Sequence, residues 1–312
     1  MAGPGRLTVE HDSLPITRSR RNVLARVRGE AWGYFFIAPS LLAFLVFSAY
    51  PMLDSILLSF HHLTLQSSEW VGLQNYQDLA TDSDFYLVLA NTARYLVFIV
   101  PFGVVLSLVL SVLVFRLATG WQVFFKSAYY LPHVTAGVVL SFIWLYLFDP
   151  GFGLLNYILR ALGFAPVLWL SNPTTSLLSL VIMYHAISWG GAIILISASL
   201  GGIPEHLYEA ARIDGASQLR QTLDITLPLL KPAIAYVTIT GTIAALQIFT
   251  EIYVMTGGGP NYATADLVYF IYDRGFTMFD FGTASAVAVI LLVVTVAIAI
   301  FQFRVFASDV EY

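Results

Sequence analysis

Cysteine is absent from this chain, lysine occurs only at Lys126 and Lys231, and charged residues of all kinds fill 11% of its 312 positions. Without cysteine there is no disulfide framework and no thiolate metal site. Each lysine follows a bulky apolar residue, Phe125 or Leu230, so there is no Gly-Lys-Ser/Thr phosphate loop for ATP. No G-x-S-x-G elbow occurs, and the six histidines (His11, His61, His62, His133, His185 and His206) form no H-E-x-x-H pattern. No catalytic residues, no metal site and no cofactor bound by the chain itself are therefore expected. The Gly257–Gly259 run followed by Pro260 reads as a turn. The shortage of charge excludes a soluble domain, which carries about 25% charged residues. With 58% hydrophobic residues and a mean hydropathy of +0.78, part of the solvent of this chain must be lipid, and a nucleic-acid partner is not expected.

What is present is a series of long charge-free runs: 31–53, 95–115, 127–148, 176–200, 232–250 and 281–303. A bilayer core needs about 20 apolar residues per helix, and in lipid every backbone group must find its partner inside the chain. The expectation is an all-α membrane protein with six transmembrane helices. A basic tail precedes the first run, but that run is too long for the apolar region of a signal peptide and no A-x-A site follows, so it is read as an uncleaved helix. Twelve of the fifteen basic residues fall in the N-terminal tail, in the loops after spans two and four, and at Arg304. By the positive-inside rule these segments and both termini face the cytoplasm. The domain expectation is a basic tail over 1–30, a transmembrane domain over 31–306 and a short tail over 307–312. Pro101 is expected to kink span two, and the kink reads as a hinge or as a fixed packing feature.

The loop over 201–231, between spans four and five, is polar amid apolar neighbours. Pro204 is expected at the first helical position, Glu205 at the positive end of the dipole, and Glu209 and Arg212 as an i,i+3 pair. Gly215 is expected to stop this short helix in a left-handed conformation. A second short helix should carry Leu219, Leu223 and Leu227, with Pro228 breaking it and Pro232 opening span five. A first helix this short needs something to lie against. Lipid headgroups or the cytoplasmic ends of the protein itself would serve, and so would a partner.

The pattern Glu209–Ala210–Ala211, three residues, Gly215, nine residues, Ile225, one residue, Leu227–Pro228 resembles the EAA loop of ABC importer permeases. "VGLQNY" (71–76), "LPHVTAGVVLSFIWLYLFDPGFGLLNYIL" (131–159) and "TGGGPNYATADLVYFIYDRGF" (256–276) resemble the carbohydrate-uptake branch that includes maltose and glycerol-phosphate permeases. The resemblance runs from about residue 35 to the end. It implies a type I ABC importer permease fold, a prokaryotic plasma membrane, and ATP-driven import of a sugar or sugar derivative by alternating access. It implies as partners a second homologous permease, two ATP-binding-cassette subunits that hold ATP and Mg, and an extracytoplasmic binding protein. Glu209, Ala210, Ala211, Asp214, Gly215 and Ala216 would then form the surface that docks on the ATPase.

Polar and aromatic residues at membrane depth are costly and point to a pathway. Trp144 in span three, Tyr184, His185, Ser188 and Trp189 in span four, and Gln247, Glu251 and Tyr253 at the outer end of span five are candidates for contact with substrate. Interface anchoring by tryptophan and tyrosine, and an interhelical hydrogen bond from His185, are the competing readings. An ion-driven secondary transporter is the rival function. It would call for inverted repeats and interrupted helices with intramembrane acids, and no clear repeat is present.

Overall fold

The computed structural model describes residues 21–306. Of the basic tail expected over 1–30, residues 1–20, with Arg6, Arg18 and Arg20, lie outside the described residues, as does the tail over 307–312, while residues 21–30 belong to a helix. The chain separates into two compact units, Met1–Asp54 and Ser55–Tyr312. The first contains helix α1 (Arg21–Phe44) and a π-turn at Leu45–Ala49, after which α2 (Tyr50–Leu58) begins. Pro51 follows the π-turn, a local widening that accommodates the missing N–H of a proline.

The second unit opens on a short hairpin, β1 (His61–Leu63) with β2 (Ser68–Trp70), paired antiparallel with His61 opposite Trp70. This hairpin was not expected from the sequence. Next come α3 (Gln74–Leu79) and α4 (Ser83–Phe115). Asn75, from the "VGLQNY" stretch, donates to Ser59 O (2.8 Å) and His61 O (2.9 Å) and so holds the chain before the hairpin. Helix α4 begins twelve residues before its apolar run because Asp82 caps it, accepting from the Asp84 N–H at 2.8 Å. It continues through Pro101 as one helix of 33 residues.

Three helical stretches are each long and apolar enough to cross a membrane: Gly33–Leu58, Ser83–Phe115 and Phe281–Phe306, the last being α16. The runs expected as single third and fourth spans are bent instead, and a further bend lies just before the fifth. Helices α5 (Thr119–Val134) and α6 (Gly137–Leu147) meet at 100°, and α8 (Pro173–Ile187) and α9 (Gly190–Gly201) at 43°. The segment Gln218–Leu229, which holds α11 (Gln218–Gln221), a π-turn at Thr222–Thr226 and α12 (Leu227–Leu229), meets α13 (Lys231–Ala245) at 66°. The α5–α6 break has a local cause. Pro132 removes a donor from the last turn of α5, and Thr135 Oγ1 donates to Leu131 O at 2.9 Å. Thr135 and Ala136 then take extended backbone. The second short helix ends as expected close to Pro228, at Leu229, and Pro232 lies in the first turn of the helix that follows. Span five also stops early, at Ala245, and resumes after a break as α14 (Thr250–Met255).

Helices α4, α8, α9 and α13 share one core, with Ile99, Met183, Ile196 and Val237 at its centre. Trp189, at the α8–α9 bend, fills the notch between two of these helices. A Cβ on Gly103 of α4 would lie 1.8 Å from its Cζ2, and a Cβ on Gly241 of α13 would lie 3.1 Å from its Cη2. Ser111 Oγ of α4 donates to Ile193 O of α9 at 3.0 Å. Gln302 of α16 donates to Thr242 of α13 at 2.7 Å.

Residues 256–280 form an irregular segment around α15 (Leu267–Tyr272). Gly257 and Gly258 turn it with positive φ. Side chains of α4 satisfy its backbone: Asn91 donates to Tyr262 O (2.8 Å) and Ala265 O (3.2 Å), Tyr95 donates to Thr264 O (2.9 Å), and Leu267 N–H donates to Thr92 Oγ1 (3.0 Å). Arg274 closes the segment on Asp82 at 2.6 Å and lies over the Phe270 ring at 4.7 Å. Asp266 caps α15 through Oδ1, at 2.8 Å from Tyr269 N, but is fully buried. Burial pushes its carboxyl up to about 8, against the pull of the backbone N–H groups that it accepts.

Two outcomes follow. Gly103→Ala should destabilise the protein by about 1–3 kcal/mol through overpacking against Trp189. Thermal unfolding in micelles measures the loss, and Trp189→Phe in the same background should recover part of it. For Asp266, the unfolded chain releases its proton near 4 while the folded chain keeps it to about 8. Its contribution is therefore complete at low pH, and stability falls as pH rises through that window. Asp266→Asn should flatten the slope, measured by thermal unfolding across pH 4 to 8.

Candidate functional site

The polar loop forms a helical corner. Helix α10 (Glu205–Ile213) starts after Pro204, which is the cap residue with extended backbone rather than the first helical position. Its end is a Schellman motif: Ala216 N–H donates to Ala211 O at 2.9 Å and Gly215 N–H to Arg212 O at 3.1 Å, with Gly215 at φ +77°. The expected Glu209–Arg212 pair does not form. Arg212 instead reaches Glu205 at 2.6 Å and Tyr208 O at 3.2 Å. Both partners of that ion pair are more than half exposed, so it contributes little.

Glu209, Ala210, Asp214 and Gly215 are exposed, while Ala211 and Ala216 are half-buried. Ile213, at 87% exposed, and Leu219, at 70%, flank them. An apolar side chain that bare at a helix end is an unfilled contact. The corner is tied to the rest of the unit by few bonds. Tyr208 OH and Thr226 Oγ1 lie 2.9 Å apart, joining α10 to the π-turn that leads into α12. Arg116 at the end of α4 donates to Gln218 at 3.2 Å. Beneath the corner lies a hollow of about 630 Å³ lined by Phe115, Leu200, Tyr208, Gln221 and others.

A second cavity, of about 400 Å³, opens between α5, the α8–α9 bend and α13. Tyr184, Ser188 and Trp189 line it, so three residues expected on a pathway meet in one place. Trp189 presents only an edge, since it is 6% exposed, and its indole N–H has no partner. His133, Tyr236 and Thr240 also line it, and the sequence reading missed all three. The signal that could have found two of them is the i,i+4 stripe Tyr236, Thr240, Ala244 on α13.

The other pathway candidates lie elsewhere. His185 turns away, its Nε2 bonding Phe98 O at 3.1 Å and its ring edge-on to Phe102 at 4.7 Å. Trp144 packs on Phe148 at 5.2 Å, beside the core. Gln247 is exposed above the cavity, Glu251 is half-buried opposite Gly137 of α6, and Tyr253 is exposed among other rings. Among the described residues no group of three or more His, Asp or Glu side chains is placed to hold a metal ion.

The unit thus combines long apolar helices, an exposed polar corner on one loop and a cavity between bent helices. Residues 99–311 match the family described as binding-protein-dependent transport system inner membrane component, and the chain belongs to that family. It is an inner-membrane component with several apolar spans. It is 32% identical over 277 residues to the arabinooligosaccharides transport system permease protein AraP of Bacillus subtilis, covering 88% of each chain. It is 32% identical over 260 residues to the trehalose/maltose transport system permease protein MalF of Thermococcus litoralis, covering 83% of this chain and 88% of that one. Its fold matches a chain in the crystal structure of a bacterial alginate ABC transporter in complex with an alginate pentasaccharide-bound periplasmic protein. That match has a TM-score of 0.82 at 22% identity, over 93% of this chain and all of the other.

Gly215→Val should cost about 1–2 kcal/mol, because a β-branched residue resists a left-handed φ. Nothing lies within 4 Å of a Cβ there, so the cost is conformational. Hydrogen exchange should speed up over 205–216 and leave α4 unchanged.

Proposed function

We propose that this chain is one of two membrane-spanning subunits of an ATP-driven importer for a sugar, an oligosaccharide or a related derivative. In this reading each bent helix pair is one span, giving six, and both termini face the cytoplasm with the basic loops. The observation that carries the proposal is the α10 corner. It bares Glu209, Ala210, Asp214, Gly215 and Ile213, and Tyr208 and Thr226 bond it to the helix that turns into α13. One wall of the cavity, with Tyr236, Thr240 and Ala244, is on α13 itself.

The mechanism follows from those connections. Two separate ATPase subunits, which hold ATP and Mg, take the α10 corners of this chain and of a second, homologous permease into clefts on their surfaces. Small Ala210 and Ala211 permit close approach, and Glu209 offers a carboxylate to a donor. Closure of the ATPases pushes α10. The Tyr208–Thr226 bond and the buried Leu230 pass the displacement to α13, and the cavity changes the side to which it opens. Nucleotide and cargo act by binding one state better than the other. A binding protein delivers cargo outside. The curated relatives support a sugar as cargo, and Tyr184, Ser188, Tyr236 and Thr240 supply hydroxyls around the cavity. Gln247, Glu251 and Tyr253 lie further along the same path. Ion-driven transport is disfavoured, because relatives along most of the chain are permeases of binding-protein-dependent systems.

Expressed with its genomic neighbours, tagged protein should bring down a second permease and an ATPase. Ala210→Trp should abolish recovery of the ATPase and retain the second permease, because the corner is remote from the core. Purification of the chain alone, or ATPase retained by the variant, would reject the coupling role.

A further inference from the structure

Three residues of α4 and α8 belong neither to the coupling corner nor to the cavity: Arg94, Pro101 and His185. Arg94 stands just before the charge-free run of α4 and is exposed. Its guanidinium donates to Asn91 Oδ1 at 2.8 Å. Asn91 is itself buried and bonded to Tyr262 O, so the guanidinium is held in place. Among the described residues no carboxylate lies within ion-pair distance of it.

Below Arg94 the surface of α4 is hollow. A groove of about 520 Å³ runs between α4 and α8, walled by Val97, Pro101 and Val105 on one side and by Val181 and Ile182 on the other. Its lining is apolar apart from His185. That ring bonds Phe98 O through Nε2 at 3.1 Å and so ties the two walls together. Arg94, Val97, Pro101 and Val105 follow one another at steps of three and four, which puts the cation and the groove on one helix face. From residue 94 to residue 105 an α-helix rises about 16 Å, close to half of a bilayer core of about 30 Å. The face therefore carries a cation at headgroup level and an apolar channel as deep as one leaflet. Helical side chains lean toward the N-terminus, so Arg94 reaches away from the groove, in the direction that a headgroup takes. Arginines near span ends commonly reach for bulk headgroups. What sets this one apart is the groove in register beneath it. A protein helix seated in an apolar groove needs no cation at its end, whereas a phospholipid does.

We propose that this face binds one phospholipid molecule, with its phosphate on Arg94 and an acyl chain in the groove over Pro101. An anionic headgroup is preferred, because a zwitterionic one brings a second cation toward the guanidinium. The bound chain lies against the His185–Phe98 bond, on the helix that also carries Tyr184 into the cavity, and braces that joint. The test titrates phosphatidylglycerol and, separately, phosphatidylcholine into the delipidated, assembled importer complex in detergent, with bound lipid counted by native mass spectrometry. The parent should bind phosphatidylglycerol more tightly. Arg94→Gln should weaken that lipid about fivefold, the share of one basic residue at a membrane surface, and erase the preference. Val105→Trp fills the groove and should abolish the site for both lipids with Arg94 intact. Val109→Trp, exposed one turn further along α4 and outside the groove, should bind as the parent does. A photo-crosslinker in place of Ile182 should capture lipid in the membrane. Arg94 is exposed, so its variant and the crosslinker carry the test if Val105→Trp does not assemble. Equal affinity in the parent, Arg94→Gln and Val105→Trp overturns the proposal. A loss in only one of those two variants also overturns it, because headgroup and chain would then not share one site. Capture of a protein subunit at Ile182 would make the groove an interface and overturns it as well.

Discussion

The packing of the second unit depends on one side chain, the Trp189 indole seated between Gly103 and Gly241. In lipid the helices gain little by hiding apolar surface from one another, so close contact and small residues must supply the attraction. Two glycines let α4 and α13 approach a tryptophan that neither could otherwise accept. The same residue stands at the α8–α9 bend and gives an edge to the cavity. Packing and cavity are thus joined at one point, and a shift of α13 relative to α4 cannot leave the cavity unchanged.

Broken helices impose a second constraint. Wherever a span is interrupted, its free backbone groups need partners, because lipid offers none. The protein meets this with side chains from the longest helix. Asn91, Thr92 and Tyr95 of α4 bind the backbone of 262–267, and the irregular outer segment becomes a fixed surface rather than a loose loop. That segment contributes Tyr272 and Phe276 to a cluster of rings with Phe249 and Tyr253. Elsewhere in the unit the corner at α10 is held by few bonds over a hollow. One helix thus fixes the irregular segment, while the α10 corner is lightly tethered.

Much of this was legible in the chain. Charge-free runs showed where helices lie, and Gly215 marked the corner because only a residue without Cβ takes φ +77° cheaply. Tyr184, Ser188 and Trp189, singled out as polar or aromatic at membrane depth, line one cavity. His185, singled out by the same rule, makes the interhelical hydrogen bond that was its competing reading, since polarity does not say which way a ring turns. The Glu209–Arg212 pair failed because a long guanidinium on a short helix can reach back two turns to Glu205.

By itself the sequence determined the solvent, the helical class, the polar loop and the family, because these follow from local composition, spacing and motif. Only the tertiary structure decided where the spans bend, which faces meet, and that Phe249, Tyr253, Tyr272 and Phe276 gather into a cluster of rings. Those outcomes depend on contacts between segments far apart in the chain, and no local periodicity records them. His133, Tyr236 and Thr240 show this most directly: each is unremarked in its own helix and becomes part of a cavity only where three bent helices leave space.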